Sequence, residues 1–196
     1  MMNKKLIFLL IIIFILCFSG LVLADKEAPN SVYIKSSEYG SLYAKSIPDE
    51  PYGSKGKTLI YSVNPKDGAE QLITTYDWYS QEIYLLHTGA LVRIGPWAGG
   101  RKANKEDFAI GFYNGGLTRK EYSTLDIAGR EDNVWASVSH YRVFKKILGF
   151  RIEGGDDAIL DNEYFVFEAE TIDGRKLAFD FNTGEIQAAQ TPIMNH

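Results

Sequence analysis

The sequence predicts an all-β protein, either an antiparallel β-sandwich or a propeller-like array of sheets, with at most one or two short helices after an N-terminal signal helix. Three observations support this prediction. Apolar and polar residues alternate with a period of two, glycine-containing turns separate these segments, and no long amphipathic helical pattern interrupts them. Because strands do not alternate with helices, the pattern argues against a dinucleotide-binding fold.

The N-terminus has the organisation of a secretory signal peptide. Lys4 and Lys5 precede an unbroken apolar run over residues 6–18, and Ala24 ends a small-residue site of the kind that signal peptidase cleaves. We therefore expect residues 1–24 to be a signal peptide that directs export to the periplasm or the medium.

Two other interpretations of this segment remain. Residues 6–24 approach the ~20 residues that a membrane-spanning helix needs, so an uncleaved N-terminal anchor is the alternative. A membrane is a predicted partner only in that case. A lipid anchor on Cys17 is disfavoured because the bulky Leu16 precedes it.

The expected mature chain is a single β-rich domain over residues 25–196, long enough for one ordinary core. It contains no cysteine, because Cys17 is the only one in the chain, so the core must stabilise the domain without disulfides. Removing Lys4 and Lys5 leaves 19 basic and 25 acidic residues, a net charge of −6. This balance argues against nucleic acid as a partner.

The C-terminal segment EYFVFEAETIDGRKLAFDFNTGEI gives the clearest strand pattern. Alternating segments flank Asp173-Gly174, a dipeptide that tolerates the positive φ of a tight hairpin turn. A second turn over residues 182–184 precedes Ile186, so we predict a three-stranded antiparallel meander. The residues expected to face its core are Phe165, Phe167, Leu177, Phe179 and Phe181.

The same pattern recurs upstream as pairs of strands around short turns. Each turn contains residues whose side chains, or whose missing Cβ, suit a turn. With the meander they give about a dozen short strands, which is typical of a sandwich or a propeller-like array. The predicted pairs are residues 32–38 with 41–47, 58–63 with 70–76, 83–86 with 91–94, and 108–113 with 117–122.

One short helix and two loops complete the predicted organisation. Residues 123–129 suit one or two helical turns, with Ser123 as N-cap and Gly129 as the stop. Residues 48–57 hold two prolines and two glycines, and residues 95–105 combine glycine and proline with a basic cluster. Both segments are predicted to be loops.

Several blocks of this sequence resemble a family of uncharacterised exported bacterial β-rich proteins. The blocks are LYAKSIP, YDWYSQEIYLLHTGALVRIGPW, FAIGFYNGGLTRKEYS, SVSHY and TIDGRKLAFDFNTGEI, in that order, from about Tyr33 to Ile186. The resemblance implies an exported β-rich domain and no particular activity. Where such proteins tend to carry an Asp-Gly type of turn before LVR, this chain has residues 87–89 (HTG), which weighs against a family-wide role for His87.

The segment SVSHYRVF, residues 137–144, brings histidine and serine together. As one continuous strand it would place Trp135, Ser137, Ser139 and Tyr141 on one face and His140 on the other. Ser139 and His140 would then diverge and could not form a nucleophile–base pair. We expect His140 to lie in a mostly buried strand and to bond a backbone carbonyl. The alternative is that His140 serves as general base for a serine elsewhere in the chain.

The loop GPWAGGRKANK is the first candidate ligand-binding region. Trp97 lies in sequence among basic residues, including Arg93 and Arg101. An aromatic ring with a basic rim on a loop suits a glycan or an acidic group. The alternative is a purely structural role, in which Trp97 covers the sheet and the basic side chains are solvated. The second candidate region is the edge around Trp135, Ser137, His140 and Tyr141.

Metal and nucleotide sites have little support in the sequence. His87, His140 and His196 do not form a zinc-binding motif, and we expect no metal or cofactor. Residues 154–163 (GGDDAILDNE) concentrate carboxylates but lack the spacing of an EF-hand loop. The glycines of residues 95–102 have phosphate-loop spacing without the lysine or the following helix.

These observations favour an exported, non-enzymatic β-domain that binds a protein or a cell-envelope component. Two alternatives remain: a hydrolase of envelope polymer or peptide that uses His140 as general base, and a purely structural propeller-like scaffold. A deep pocket around His140 would favour the hydrolase, whereas a shallow aromatic and basic groove beside Trp97 would favour binding.

Overall fold

The computed structural model describes residues 28–153 and 164–190. The predicted signal peptide, the carboxylate-rich segment 154–163 and His196 lie outside the described residues.

The described residues form fifteen β-strands and one short helix, which confirms the all-β prediction. In chain order the elements are β1 (Tyr33–Ser36), β2 (Leu42–Pro48), β3 (Gly56–Val63), β4 (Glu70–Tyr76), β5 (Ile83–Leu85), β6 (Leu91–Ile94), β7 (Ala98–Gly99), β8 (Phe108–Asn114), β9 (Leu117–Ser123), α1 (Thr124–Ala128), β10 (Trp135–Ala136), β11 (His140–Arg142), β12 (Phe144–Glu153), β13 (Tyr164–Thr171), β14 (Lys176–Asp180) and β15 (Ile186–Gln190).

The strands form four antiparallel sheets. The N-terminal sheet has the order β1-β2-β3-β4, the central sheet β5-β6-β8-β9, and the C-terminal sheet β12-β13-β14-β15. The small sheet has the order β10-β11-β7 and thereby joins a strand from the 95–105 loop to the hairpin that follows α1. The predicted strand pairs are all present, and β12 adds a fourth strand to the predicted C-terminal meander.

The central sheet packs on both of its neighbours. Leu91 and Tyr113 belong to a core cluster shared with the N-terminal sheet, which includes Ile60. Val92 and Phe112 point the other way and join the larger core, which includes Phe167 of the C-terminal sheet. Because successive side chains of a strand alternate between faces, β6 is buried at every position. The central sheet is therefore the middle layer of the stack.

Helix α1 has the two caps predicted from the sequence, Ser123 and Gly129. The Ser123 side chain accepts a hydrogen bond from the backbone of Asp126, and the Asp126 carboxylate accepts one from the Ser123 backbone. Gly129 ends the helix in the left-handed conformation, with φ of 72°. Arg175, in the turn between β13 and β14, donates to the last helical carbonyls and fixes the helix on the core.

Candidate ligand-binding site

The segment SVSHYRVF is a hairpin turn and not the continuous strand that alternation predicts. Strand β10 ends at Ala136, residues 137–139 turn, and β11 begins at His140. The Ser137 backbone donates to the His140 carbonyl at 2.8 Å, and the Ser137 hydroxyl accepts from the His140 backbone at 3.3 Å. The Ser137 side chain thus stabilises the turn. The turn contains no glycine, the residue by which turns are usually recognised in a sequence.

This turn brings together three side chains that are distant in sequence. Trp135 and Arg142 are direct cross-strand partners in the β10–β11 hairpin, and β7 begins next to β11, one residue after Trp97. The Arg142 guanidinium lies 4.1 Å from the Trp135 ring centroid and 5.3 Å from that of Trp97. The two indole rings contact each other edge to face at 5.8 Å. We call this group the Trp97–Arg142–Trp135 cluster.

The cluster faces solvent. Trp97 is 40% exposed and Trp135 is 52% exposed, although large aromatic side chains usually bury. The guanidinium is attracted to the face of each ring, which holds it in a defined place. Its Nε atom is buried, and the Arg142 side chain makes no hydrogen bond with the described residues. The cluster therefore presents two apolar rings and an oriented cation that has no anion beside it in the described chain.

A cleft of about 170 Å³, here called the basic cleft, opens beside Trp97 and Arg142. Lys145 and Lys146 also line it, and Glu82 is the carboxylate among its lining residues. Glu82 accepts a hydrogen bond from the Tyr84 hydroxyl at 3.0 Å. Among the charged residues of the lining, the basic ones therefore outnumber the acidic one.

A β-bulge explains how two consecutive lysines reach one cleft. In a regular strand, neighbouring side chains point to opposite faces. The pairing of β12 with β13 shifts between Phe144 and Lys146, so that Lys145 is the extra residue. Bulges redirect side chains in this way. Lys145 pairs with Glu170 at 2.6 Å, whereas Lys146 is exposed and forms no ion pair with a described residue.

A second cleft, of about 370 Å³, adjoins the first and is here called the polar cleft. It is lined by uncharged polar side chains, among them Asn30 and Gln81, together with Glu82. Both clefts share the wall formed by residues 94–97. Trp97 thus lines both a recess that contains basic side chains and a larger one whose polar side chains are mostly uncharged.

Arg93, predicted to belong to the basic rim of this loop, lies instead in the core. Leu91 and Arg93 share the face of β6 that is covered by the N-terminal sheet, so the side chain is only 6% exposed. Its guanidinium is stacked between Trp78 at 4.7 Å and Phe108 at 4.4 Å. Its Nε atom has no hydrogen-bond partner in the described chain. Arg93 therefore supports the fold and does not reach the surface at Trp97.

Tyr141 is also a core residue and not part of an exposed edge. It is fully buried, and its hydroxyl donates to Asp107 at 2.6 Å and lies 2.9 Å from the Thr124 hydroxyl. Burial, together with the bond to the Asp107 carboxylate, raises the pKa of Tyr141 to about 12. The residue anchors β11 to α1 and positions its neighbour Arg142.

The remaining predicted site residues lie at the surface. Ser137 is half-buried and closes the β10–β11 turn. Arg101 is exposed in the loop after β7 and contacts none of the described residues through a hydrogen bond or ion pair. The predicted rim of Trp97, Arg93 and Arg101 is thus replaced by Trp97 with Arg142, Lys145 and Lys146.

Ser139 and His140 do touch, contrary to the prediction from strand geometry. The Ser139 hydroxyl lies 2.8 Å from Nδ1 of His140. The prediction was wrong because Ser139 lies in the turn, where neighbouring side chains need not diverge. The pair is at the surface, and within the described chain no carboxylate bonds the His140 ring. His140 bonds a hydroxyl and not the backbone carbonyl that we expected.

The described residues contain neither a metal-ligand group nor a membrane-spanning helix. No group of three or more histidine, cysteine, aspartate or glutamate side chains among them is placed to hold a metal ion. Among the same residues, there is no helix with the length and apolar character to cross a membrane.

Arg142, Lys145 and Lys146 were not found by sequence reasoning. Arg142 follows SVSHY directly, but its position opposite Trp135 depends on a turn that contains no glycine, asparagine or proline. The two lysines look like ordinary solvated residues unless the bulge is known. The signal that could have revealed the site was the pair of tryptophans flanking two short segments of strand character.

No family model and no curated protein matches this chain. Among solved structures, it is similar to the crystal structure of Saccharomyces cerevisiae Sqt1, with 14% sequence identity and a TM-score of 0.45. The similarity covers 85% of this chain, and this chain spans 39% of that one. We infer neither fold nor function from a similarity of this size.

Proposed function

We propose that this chain is an exported, non-enzymatic binding domain whose Trp97–Arg142–Trp135 cluster binds a glycan of the cell envelope. The observation that carries the proposal is the solvent exposure of two tryptophans around one oriented arginine. Contiguous exposed apolar groups rimmed by polar residues are typical of interaction sites and ligand-binding grooves.

The chemistry of the cluster suits a sugar. One face of a pyranose ring is a set of C–H groups that stack on an indole ring, while its hydroxyls bond to polar groups at the edge. Trp97 and Trp135 supply the rings, and the adjoining polar cleft supplies Asn30 and Gln81. A rigid stack loses little side-chain entropy on binding, because Arg142 already holds both rings.

The cell-envelope location is part of the same proposal. It is supported by the signal-like character of residues 1–24. The net charge expected for the exported chain, −6, disfavours a general affinity for anionic polymers, so a local site has to supply recognition.

A co-sedimentation experiment tests the proposal. The full-length chain is incubated with peptidoglycan sacculi and, separately, with lipopolysaccharide, and bound protein is measured. Trp97→Ala and Trp135→Ala should each weaken binding by roughly tenfold, since tryptophans that a ligand covers are typical binding hot spots. Tyr39→Ala removes an exposed aromatic side chain, 71%, in the turn between β1 and β2, whose residues line neither cleft, and should bind like the unaltered chain. Equal binding by all four proteins would refute the proposal.

A second candidate function follows from the Ser139–His140 contact. A serine hydroxyl 2.8 Å from a histidine nitrogen has the spacing of a nucleophile and its base, which would suit a hydrolase of envelope polymer or peptide. The contact lies at the surface, and the described chain lacks a third residue that orients the ring. A fluorophosphonate probe that labels the unaltered chain but not Ser139→Ala would establish the hydrolase; absence of labelling would dismiss it.

A further inference from the structure

We infer that the ligand is an anionic saccharide, whose carboxylate or phosphate group enters the basic cleft while its ring stacks on Trp97. This inference rests on the proposed function and specifies the ligand of the same site. It depends on three observations: the free donors of Arg142, the redirected lysines of the bulge, and the arrangement of the two clefts.

Arg142 is prepared to bind an oxyanion. The two indole rings hold its guanidinium in place, and the side chain makes no hydrogen bond or ion pair with the described residues. A guanidinium carries five N–H donors in a planar fork that matches the two oxygens of a carboxylate or a phosphate. Because the rings already immobilise the side chain, little conformational entropy remains to be lost when an anion binds.

The bulge in β12 strengthens the positive charge of the same recess. In a regular strand without the bulge, alternation would direct either Lys145 or Lys146 away from the cleft. Lys145 is partly neutralised by Glu170, and Lys146 forms no ion pair with a described residue. Because Lys145 is paired with Glu170, Arg142 and Lys146 are the cations that remain against the Glu82 carboxylate among the lining residues, so a partly enclosed anion is favoured there.

The sizes of the clefts indicate how the ligand divides between them. The basic cleft, about 170 Å³, is small compared with a typical ligand pocket and suits one charged substituent with part of a ring. The polar cleft, about 370 Å³, shares the wall of residues 94–97 with the basic cleft and suits the neutral remainder. A charged sugar followed by a neutral one would therefore place a ring at Trp97 in between.

Calorimetric titration of the full-length chain with paired probes tests the inference. One pair is an oligogalacturonate and its methyl ester, which has the same rings without the charges. The other pair is mannose 6-phosphate and mannose. We expect the charged member of at least one pair to bind about tenfold more tightly than the neutral one, and the preferred pair identifies carboxylate or phosphate as the group.

Variants locate the preference in the basic cleft. Lys146→Gln should reduce the affinity for the charged probe about threefold and leave the neutral probe unchanged. Lys66→Gln removes an exposed lysine in the turn between β3 and β4, away from the lining residues of both clefts, and should change neither affinity. Added salt should lower the affinity for the charged probe and leave the affinity for the neutral probe unchanged.

The outcomes separate this inference from the proposed function. If charged and neutral probes bind equally and Trp97→Ala weakens both, the glycan-binding function stands and the anion inference is wrong. If the charged probes are preferred but Lys146→Gln and Lys66→Gln behave alike, the preference does not come from the basic cleft and the inference is also wrong. If neither these probes nor sacculi and lipopolysaccharide bind in a Trp97-dependent way, both fail.

Discussion

Arg142 and Trp135 face each other across the β10–β11 hairpin, and the guanidinium carbon lies 4.1 Å from the centroid of the indole ring. Trp97 adds a second ring to the same guanidinium from the segment that leads into β7. The cluster therefore fastens three stretches of chain to one another, so it has a structural consequence that can be measured without knowing the ligand.

Arg142→Ala should lower the free energy of unfolding by about 1 kcal/mol, because it removes two cation–π contacts of partly exposed character. Arg142→Lys should lower the free energy of unfolding by less, since it keeps the cation and loses only the flat stacking surface of the guanidinium. Urea denaturation followed by tryptophan fluorescence measures both. Arg130→Ala, which breaks an exposed ion pair with Asp132, is the control and should cost about 0.5 kcal/mol or less. An equal decrease in the free energy of unfolding in Arg142→Ala and Arg130→Ala would contradict this account.

Arg93 allows a different prediction, because its charge is buried between Trp78 and Phe108 and its Nε atom lacks an acceptor in the described chain. Arg93→Ala should destabilise by about 3 kcal/mol through lost packing. Arg93→Met fills the same space without a buried charge and should remain within about 1.5 kcal/mol of the unaltered chain. Urea midpoints at neutral pH distinguish the two variants. If Arg93→Met is as unstable as Arg93→Ala, the charge itself stabilises the fold.

The different positions of Arg93 and Trp97 show what the sequence could and could not predict. Strands, turns and the capped helix follow from local patterns, and these predictions are confirmed over most of the described chain. Arg93 is only four residues from Trp97 in sequence. Whether a strand has one face covered or two depends on which sheets stack, so its burial could not be derived locally.

The candidate site depends even more on non-local structure. Trp97 and Trp135 were selected from the sequence, but Arg142 joins them only through the Ser137–Ser139 turn, and Lys146 only through a bulge in β12. Neither feature has a strong local signature, since the turn lacks glycine and a bulge depends on the register of two strands. Aromatic residues were therefore predictable as candidates, whereas the cations that accompany them were not.

Tyr141 predicts how stability depends on pH. Its pKa is raised to about 12 in the folded chain, from a usual value near 10, by burial and by the bond to Asp107. The folded state therefore retains a proton that the unfolded state loses, and stability falls as pH rises from about 10 to about 12. Tyr141→Phe should be less stable at neutral pH by about 1 kcal/mol, because Asp107 and Thr124 lose a partner.

The measurement is the free energy of unfolding in urea at several pH values between 8 and 12. Tyr141→Phe should lose less stability across this interval than the unaltered chain does. Tyr52→Phe, a change at an exposed ring, should reproduce the unaltered profile. Parallel profiles for Tyr141→Phe and the unaltered chain would show that other groups dominate the alkaline transition.

Gly95 tests whether the segment that carries Trp97 must pass close to β8. A Cβ atom at Gly95 would lie 2.1 Å from the carbonyl oxygen of Phe108, and the Gly95 backbone donates to Ala109 at 2.8 Å. Gly95→Ala therefore has to displace the segment, at a cost of about 2 kcal/mol, and should alter the emission of Trp97. Gly99→Ala in β7 is a matched control, because a Cβ atom there meets nothing within 4 Å. Since Gly95 borders both clefts, Gly95→Ala should also weaken the proposed glycan binding, whereas Gly99→Ala should not change it. Wild-type stability and fluorescence in Gly95→Ala would mean that the segment moves freely and does not hold Trp97 against the clefts.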